Sequence, residues 1–259
     1  MSLNPKIKDW KNKRVWIIGA STGIGAALAR LLHGKGAKVI ASARSADKLD
    51  ALVNELGKDR ALAAPLDITD VESIRAADAH IEKSWGGYDL VVFMAGDYSS
   101  MRAWEIDLKV AKQMVAINWE GFLNGLSIVI PRFMAAKAGG IALVSSVAGY
   151  RGLPKALVYG PTKAALINLA ETLYVDLKDK GLDVYVINPG FVKTPMTAQN
   201  DFDMPFLIEP EEAAQEIAKG FEAGEFEIHF PKTFTRMLKT MRHLSYPLYF
   251  KAVKKFTKL

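Results

Sequence analysis

The sequence contains 259 residues, half of them hydrophobic, with 34 lysines and arginines, 28 aspartates and glutamates and no cysteine. This length and composition fit one large α/β domain with a sizeable core. The absence of cysteine excludes disulfides, thiolate catalysis and cysteine-ligated metals, and the four histidines lack the spacing of metal ligands, so no metal site is predicted.

The positive charge is concentrated at one end of the sequence. Residues 232–259 contain eight lysines and arginines and no acidic residue, whereas the rest contains 26 basic and 28 acidic residues. A basic excess confined to the tail argues against nucleic acid as a partner. The sequence has no apolar run of the length that spans a membrane and no apolar leader with a cleavage site at its start, so we expect a cytoplasmic protein.

Short apolar segments alternate with longer segments of helical periodicity along the chain. The predicted strands are 14–20, 38–43, 61–67, 88–96, 139–149, 182–190 and 225–230. The predicted helices are 24–36, 45–57, 69–86, one long helix on each side of strand 139–149, and one that opens at Glu209, Pro210 and Glu211. This alternation predicts an α/β fold with a single Rossmann-type, doubly wound, mostly parallel sheet of about seven strands and helices on both faces.

Such sheets bind ligands beyond the carboxyl ends of their strands, so the residues that follow each strand are the candidates for a site. Gly19, Gly23 and Gly25 follow the first strand and precede a helix. Glycines let the backbone approach a ligand closely, and the free N–H groups at the start of a helix attract a diphosphate. A structural turn would explain the glycines alone, but their position between a strand and a helix favours a dinucleotide.

The loops after the next three strands carry further candidates. Arg44 follows the second strand, where the adenosine ribose of a dinucleotide is expected, and that loop has no acidic residue. Arginine suits a 2′-phosphate and so favours NADP(H) over NAD(H), with a solvated loop charge as the alternative. Asp67 and Ile68 follow the third strand and fit either an adenine contact or an ordinary turn. Ala95 and Gly96 follow the fourth strand and are small enough for the backbone to run close to a ribose.

The fifth strand is followed by Ser146 and, thirteen residues later, by Tyr159. Lys163 is four residues beyond Tyr159, so both side chains would share one helix face. A neighbouring ammonium lowers the pKa of a tyrosine, which would let the phenol exchange protons near neutral pH. Ser146 is placed to hydrogen-bond a carbonyl oxygen, and Asn118 is a polar residue inside an apolar helical segment. Taken alone, Tyr159 is more often a packed side chain than a catalyst, Lys163 is most often a solvated charge, and Asn118 fits a helix kink or cap.

The combination of these residues resembles the short-chain dehydrogenase/reductase family over residues 14–194. Asn118, Ser146, Tyr159 and Lys163 resemble its catalytic tetrad. The resemblance implies that the tyrosine exchanges a proton with a carbonyl or alcohol oxygen and that the serine holds this oxygen. It implies that the lysine holds the nicotinamide ribose and lowers the tyrosine pKa, and that the asparagine bends its helix and holds a relay water. It further implies hydride transfer between NADP(H) and a carbonyl or secondary alcohol, in a homodimer or homotetramer formed through the two long helices.

The resemblance also implies which residues contact the cofactor. Residues 188–195 are similar to the family segment that passes the nicotinamide. The implied cofactor-binding residues are Gly19, Ser21, Thr22, Gly23, Ile24, Gly25, Arg44, Asp67, Ile68, Ala95, Gly96, Tyr159, Lys163, Pro189, Gly190, Val192 and Thr194. Three positions depart from the family pattern, because Phe93 and Met94 replace two asparagines and Ile18 replaces a threonine. Any hydrogen bonds of the family's side chains must be replaced at these positions.

The substrate side is expected to be apolar. Residues 196–209 are rich in methionine and aromatic residues, so they are expected to form a flap over the substrate, with ordinary packing as the alternative. The predicted roof of the pocket consists of Phe202, Met204, Phe206, Leu207 and Ile208, with Leu153 and Pro154 in its wall. We therefore expect a hydrophobic ketone, aldehyde or secondary alcohol as the substrate.

The domain prediction places the catalytic domain at 1–230 and a basic amphipathic helical tail at 231–259. The predicted apolar stripe of the tail comprises Phe234, Met237, Leu238, Met241 and Leu244, continued by Tyr249, Phe250, Val253 and Phe256. Three roles are open for it: contact with an anionic membrane surface, packing on a partner subunit, or capping of the chain's own substrate pocket. Two alternative functions also stay open, a catalytically weak NADP(H)-binding regulatory or interaction protein and a membrane-associated lipid- or steroid-type reductase.

Overall fold

A seven-stranded parallel sheet forms the centre of this computed structural model, which describes residues 2–200 and 202–257. The strands are β1 (Arg14–Ile18), β2 (Lys38–Ser42), β3 (Ala61–Ala63), β4 (Leu90–Phe93), β5 (Gly139–Val144), β6 (Leu182–Pro189) and β7 (Glu227–Phe230). Their order is β3-β2-β1-β4-β5-β6-β7, and every neighbouring pair is parallel. The chain reverses its direction of winding between β1 and β4, which is where doubly wound sheets bind nucleotides. The predicted fold class and its seven strands are confirmed.

Nine α-helices connect and follow these strands within the described ranges. They are α1 (Gly23–Gly34), α2 (Ala46–Leu56), α3 (Val71–Trp85), α4 (Leu108–Val115), α5 (Gly121–Ala136), α6 (Tyr159–Leu177), α7 (Pro210–Ala223), α8 (Lys232–Met241) and α9 (Tyr246–Phe256). A π-helical turn, Ala116–Glu120, joins α4 to α5. None of the helices in the described part of the chain has the length and apolarity needed to cross a bilayer.

Local sequence signals explain several helix ends. Asp70 caps α3, because its carboxylate accepts a hydrogen bond from the backbone N–H of Glu72 at 3.0 Å. Gly86 ends the same helix in the left-handed conformation, with φ of 70°. At α7, Glu209 is the N-cap residue and Pro210 occupies the first turn, as the sequence predicts.

Two apolar layers cover the two faces of the sheet. Helices α1, α2 and α7 bury side chains such as Leu28 and Phe221 against one face. Helices α3, α5 and α6 bury side chains such as Ile74, Phe122 and Leu166 against the other. Each fully buried side chain of this size contributes about 1.5–3 kcal/mol. This packing fixes the strand ends and therefore the residues that follow them.

Helices α8 and α9 pack on the carboxyl-end side of the sheet. Lys239 of α8 forms an ion pair with Glu227 of β7, and the Glu227 carboxylate also accepts hydrogen bonds from Tyr150 at 2.7 Å and Asn188 at 2.9 Å. The division of the chain at residues 230 and 231 stays a prediction. The predicted domains also include Met1, Asp201, Lys258 and Leu259, which lie outside the described residues.

Candidate active site

A cleft with a cavity volume of about 350 Å³ runs along the carboxyl ends of the strands. All seventeen predicted cofactor-binding residues line it: Gly19, Ser21, Thr22, Gly23, Ile24, Gly25, Arg44, Asp67, Ile68, Ala95, Gly96, Tyr159, Lys163, Pro189, Gly190, Val192 and Thr194. Ser146 lines it as well, whereas Asn118 lies behind the wall. The structure therefore brings together residues from six separate strand ends.

The glycine loop has the shape that a diphosphate requires. Gly19 has a φ of 108°, which favours glycine, and a Cβ atom there would lie 2.6 Å from the backbone nitrogen of Ala95. A Cβ atom on Gly25 would lie 2.1 Å from the carbonyl oxygen of Gly19. Thr22, the N-cap residue of α1, makes no side-chain hydrogen bond to the first helical turn, so the N–H groups of that turn remain available to an anion. The loop thus fits the diphosphate of a dinucleotide.

The end of the cleft beside β2 and β3 carries Arg44 and Asp67. Arg44 is exposed and lines the cleft beside Ser45. One oxygen of Asp67 accepts hydrogen bonds from the backbone N–H and the hydroxyl of Thr69, at 2.9 and 2.8 Å. These hydrogen bonds lower the pKa of Asp67, and the nearby charge of Arg44 lowers it further. Asp67 is therefore a turn residue that also lines the cleft, and its contact with an adenine stays a prediction.

Packing replaces the two missing asparagines. The ring of Phe93 is fully buried and fills the space beside Gly125, where a Cβ atom would lie 2.2 Å from the ring. It also packs on Phe122, with ring centroids 5.6 Å apart. Met94 lines the cleft and keeps its backbone hydrogen bond to the carbonyl oxygen of Ile18 at 2.8 Å. The strand end is thus held by apolar contacts and the backbone ladder.

Asn118 holds the backbone at the base of the cleft. It lies within the π-helical turn and is fully buried. Its Oδ1 accepts a hydrogen bond from the N–H of Asp97 at 2.8 Å, and its Nδ2 donates to the carbonyl oxygen of Asp97 at 2.8 Å and to the hydroxyl of Thr162 at 3.3 Å. The polar partners that the sequence requires for this residue are therefore identified, and the helix is irregular at this point.

The two adjacent serines have different partners. The hydroxyl of Ser145 is buried and donates to the carbonyl oxygen of Lys163 at 2.6 Å, which ties β5 to α6. The hydroxyl of Ser146 accepts from the N–H of Ala148 at 3.1 Å and hydrogen-bonds the Tyr159 hydroxyl. Of these two serines, Ser146 is therefore the one that hydrogen-bonds the phenol.

The electrostatics of Tyr159 differ from the sequence expectation. Burial raises its pKa to about 12, and the hydrogen bond from Ser146 lowers it only in part. The Nζ of Lys163 lies over the tyrosine ring, 5.6 Å from the ring centroid. Burial therefore outweighs the groups that lower the phenol pKa, and the lowering by Lys163 stays a prediction. A positively charged nicotinamide ring remains as the cation that favours the phenolate.

Lys163 is almost completely buried, and its Nζ donates to the carbonyl oxygen of Val144 at 3.0 Å. Burial lowers its pKa to about 7. A lysine with this pKa gains and loses a proton near neutral pH, which suits a proton relay.

This pKa predicts a dependence of stability on pH. In the unfolded chain the lysine titrates near 10.5, so between about pH 7 and 10.5 the unfolded state binds more protons. The contribution of Lys163 to the free energy of unfolding should therefore rise through this window, by at most about 1.4 kcal/mol per pH unit. Denaturant midpoints of the native protein and Lys163→Met across the window measure it. Equal slopes in the two proteins would contradict the shift.

A second cavity, of about 500 Å³, adjoins the cleft. Both cavities are lined by Ser146, Tyr159, Gly190, Met196 and Thr197. The lining of the second cavity is mainly apolar, and it includes Leu153 and Pro154 as predicted. Tyr159 and Ser146 therefore lie where the contents of the two cavities would meet.

The tail forms one wall of this second cavity. Phe234, Met237, Leu238 and Met241 of α8 line it, as do Val253, Phe256 and Thr257 at the end of the chain. Of the three roles open for the tail, capping of its own pocket is the one that the described contacts support. The predicted stripe is wrong at Phe250, which is 55% exposed and does not line the cavity. The buried face of α9 consists of Tyr249 and Val253, four residues apart, which pack with Met241 of α8.

The predicted flap is confirmed only in part. Phe202 lines the cavity and packs edge-on against Phe191, with ring centroids 5.9 Å apart. Ile208 is instead buried in the main core, where it bridges to Val192. Phe206 stacks on Phe234 at 5.7 Å but is half exposed. The apolar composition of residues 196–209 therefore does not show which side chains line the cavity and which join the main core.

Some residues of the cleft were not predicted. They are Ala43, Ser45, Leu66, Asp97, Ile117, Val144, Ser145, Pro195, Met196 and Thr197. Most are neighbours of predicted residues, so position next to a strand end was the available signal. Thr197 is different, because its hydroxyl donates to the carbonyl oxygen of Val192 at 2.6 Å and so holds the loop that carries Thr194.

Comparison with known proteins places the chain in a family. The family model for short chain dehydrogenases matches residues 13–204. An uncharacterised oxidoreductase of Myxococcus xanthus is 38% identical over 234 residues, which cover 87% of this chain and 91% of that protein. An uncharacterised oxidoreductase of Staphylococcus haemolyticus is 33% identical over 207 residues, which cover 80% of this chain and 90% of that protein.

Solved structures share the fold at lower identity. A short-chain dehydrogenase from Sphingobium yanoikuyae in complex with NADPH is 23% identical, with a TM-score of 0.77 and coverage of 90% of this chain and 97% of that one. A short-chain dehydrogenase/reductase from Burkholderia phymatum in complex with NAD is 20% identical, with a TM-score of 0.82 and coverage of 89% and 93%. The family match spans the sheet from β1 to the loop beyond β6. The chain therefore belongs to the short-chain dehydrogenase/reductase family and is an oxidoreductase.

Proposed function

We propose that the protein transfers hydride between NADP(H) and a bulky apolar ketone, aldehyde or secondary alcohol. The observation that carries this proposal is the position of Tyr159 and Ser146 in the shared wall of the nucleotide cleft and the apolar cavity. A panel of carbonyls and alcohols of graded size, followed by NADPH absorbance, tests it. Turnover confined to small polar substrates would refute the proposed substrate class.

The proposed chemistry assigns a role to each side chain. When bound, the nicotinamide supplies or accepts the hydride. Ser146 holds the substrate oxygen, and Tyr159 gives that oxygen a proton during reduction and takes it back during oxidation. Lys163 holds the nicotinamide ribose and exchanges protons near neutral pH. Asn118 keeps the backbone at Asp97 in place and supports the relay.

Arg151 supports the apolar wall of the cavity. Its Nη1 donates to the carbonyl oxygens of Met241, Arg242 and Leu244, at 3.0, 3.3 and 2.8 Å. These three carbonyls belong to the end of α8 and the turn that follows it, where a cation is favourable. The guanidinium also lies 3.9 Å from the ring centroid of Tyr249 in α9. Arg151 therefore fastens both tail helices to the loop between Ser146 and Tyr159.

Replacing Arg151 by alanine should loosen the tail and weaken the binding of large substrates. We expect KM for bulky apolar substrates to rise about tenfold, since hydrogen bonds to a charged group contribute about 1.5–3 kcal/mol. Values of kcat for a small ketone should change little, because the catalytic side chains keep their contacts. Arg151→Lys keeps the charge but loses the planar guanidinium, so its KM for bulky substrates should lie between that of the native chain and that of Arg151→Ala. If Arg151→Ala lowered kcat/KM equally for small and bulky substrates, a role of Arg151 in size selection would be contradicted.

A catalytically weak NADP(H)-binding sensor is the second candidate function. The replacement of the two asparagines by Phe93 and Met94 favours it, because these side chains form no hydrogen bonds to a nucleotide. The position of Tyr159 in the wall of both cavities favours a catalytic function over a sensor. NADPH binding without turnover across the full substrate panel would support the sensor.

The proposed assembly is a homodimer or homotetramer formed through α5 and α6. Leu123 and Met134 on α5 and Val175 on α6 are exposed at 41%, 38% and 76%, which is consistent with a contact between copies. Sedimentation velocity measures the oligomeric state. The cytoplasmic location stays a prediction from the sequence.

A further inference from the structure

Helix α9 carries large apolar side chains on its solvent side. Tyr246, Leu248 and Phe250 are 69%, 57% and 55% exposed, although the helix has only eleven residues. Tyr246 and Phe250 stack on each other, with ring centroids 5.8 Å apart. Clustered exposed apolar groups are uncommon on a soluble surface and mark sites of contact with another molecule.

The same helix carries unpaired positive charge. Lys251, Lys254 and Lys255 are exposed, and no carboxylate in the described part of the chain pairs with them. Residues 232–259 have no acidic residue, whereas the rest of the chain has a small acidic excess. The charge therefore directs this helix, and not the rest of the protein, towards an anionic partner.

The apolar cavity opens beside this helix. Phe256 and Thr257 line the cavity and are exposed at the same time, so they lie at its mouth. Arg102 also lines the cavity, and its guanidinium lies 5.5 Å from the ring of Trp104, which is 76% exposed. Phe256 is therefore an exposed aromatic residue at the opening of the cavity, and Trp104 is an exposed aromatic residue beside the lining residue Arg102.

We propose that α9 and the mouth of the apolar cavity dock on an anionic lipid bilayer. Lysines at the headgroups and aromatic side chains at the interface are the features by which amphipathic helices bind such surfaces. A second copy of the chain fits this surface less well, because two tails without acidic residues repel each other. If the proposed function also holds, an apolar substrate enters the cavity directly from the lipid.

Co-sedimentation of the full chain with vesicles tests the docking. We expect binding to phosphatidylcholine vesicles that contain phosphatidylglycerol, weaker binding at high salt, and little binding to phosphatidylcholine alone. The variant Lys251→Gln/Lys254→Gln/Lys255→Gln should lose about 100-fold in partitioning, since one lysine near an anionic surface contributes roughly fivefold.

Two further variants separate charge from apolar contact. Leu248→Ser/Phe250→Ser should lower the partitioning while the circular dichroism spectrum stays unchanged. The matched control Lys58→Gln/Lys83→Gln/Lys180→Gln removes three exposed lysines outside the tail and should bind as the native chain does.

Three results would overturn the proposal. The first is equal binding of the native chain to vesicles with and without phosphatidylglycerol. The second is a loss of binding in the lysine control variant as large as the loss in the α9 lysine variant. The third is that the native chain binds no vesicles but forms an oligomer that Leu248→Ser/Phe250→Ser dissociates. The last result would assign the surface to a second copy of the chain. Because sedimentation requires no turnover, a failure here is distinguishable from a failure of the proposed oxidoreductase activity.

Discussion

Tyr159→Phe is expected to abolish turnover while NADPH binding survives. Removal of a general acid or base costs about 10²- to 10⁴-fold in rate, and the Tyr159 hydroxyl is the group that hydrogen-bonds Ser146 in the wall shared by the two cavities. Phenylalanine keeps the ring that packs edge-on against Tyr98 at 5.0 Å and lies under Lys163 at 5.6 Å. The wall of the cleft should therefore keep its shape. NADPH absorbance measures the rate, and titration calorimetry measures the affinity for NADPH.

Tyr174→Phe is the matched control for this variant. Tyr174 lies on the same helix α6, and its hydroxyl donates to the carbonyl oxygen of Leu3 at 2.9 Å, away from both cavities. The control loses a hydroxyl of the same kind and should keep its turnover. If Tyr159→Phe turned over substrate as fast as the native chain, the proton transfer would have to be assigned to another group. If it lost NADPH binding as well, the effect would be structural.

Much of the nucleotide cleft was predictable because its signals are local. A backbone position with a positive φ favours glycine, so Gly19 in the sequence already indicates the tight turn that it forms. The strand periodicity then fixes where each loop begins, and in a parallel sheet all these loops reach the same edge. Arg44, Asp67 and Gly96 could thus be assigned to one cleft although they are far apart in the sequence.

The electrostatics were less predictable, because they depend on burial. The four-residue spacing of Tyr159 and Lys163 correctly predicts a shared helix face. It does not show that the ammonium lies over the ring, or that desolvation raises one pKa and lowers the other. Those shifts come from the surrounding β5 strand and loops, which contact the pair only in the folded chain.

Long-range packing explains the remaining differences. Phe93 is accommodated because Gly125, on a helix thirty-two residues later in the chain, leaves room for its ring. The periodicity of α9 is real, but its packing against Met241 of α8 decides which side chains are buried, so Phe250 is exposed and Val253 is not. Such pairings of distant segments leave no local signal.

Arg44→Asp is expected to shift cofactor use from NADP(H) toward NAD(H). In the native chain the exposed guanidinium of Arg44 lines the adenosine end of the cleft and lowers the pKa of Asp67. It would form charge-assisted hydrogen bonds to the 2′-phosphate of NADP(H), each contributing about 1.5–3 kcal/mol. An aspartate at this position would repel the phosphate and could accept hydrogen bonds from the ribose hydroxyls of NAD(H). We expect the ratio of kcat/KM for NADPH over NADH to fall about 100-fold.

Lys48→Asp separates this role from the effect of net charge. Lys48 is exposed, lies four residues after Arg44 in the first turn of α2, and does not line the cleft. Lys48→Asp changes the charge by the same amount as Arg44→Asp. It should leave the ratio of kcat/KM for NADPH over NADH almost unchanged, because solvent screens charges at that distance. An unchanged ratio in Arg44→Asp would remove the basis for NADP(H). An equal fall in both variants would attribute the preference to the general field of the protein, so only a large change confined to Arg44→Asp supports a direct contact with the 2′-phosphate.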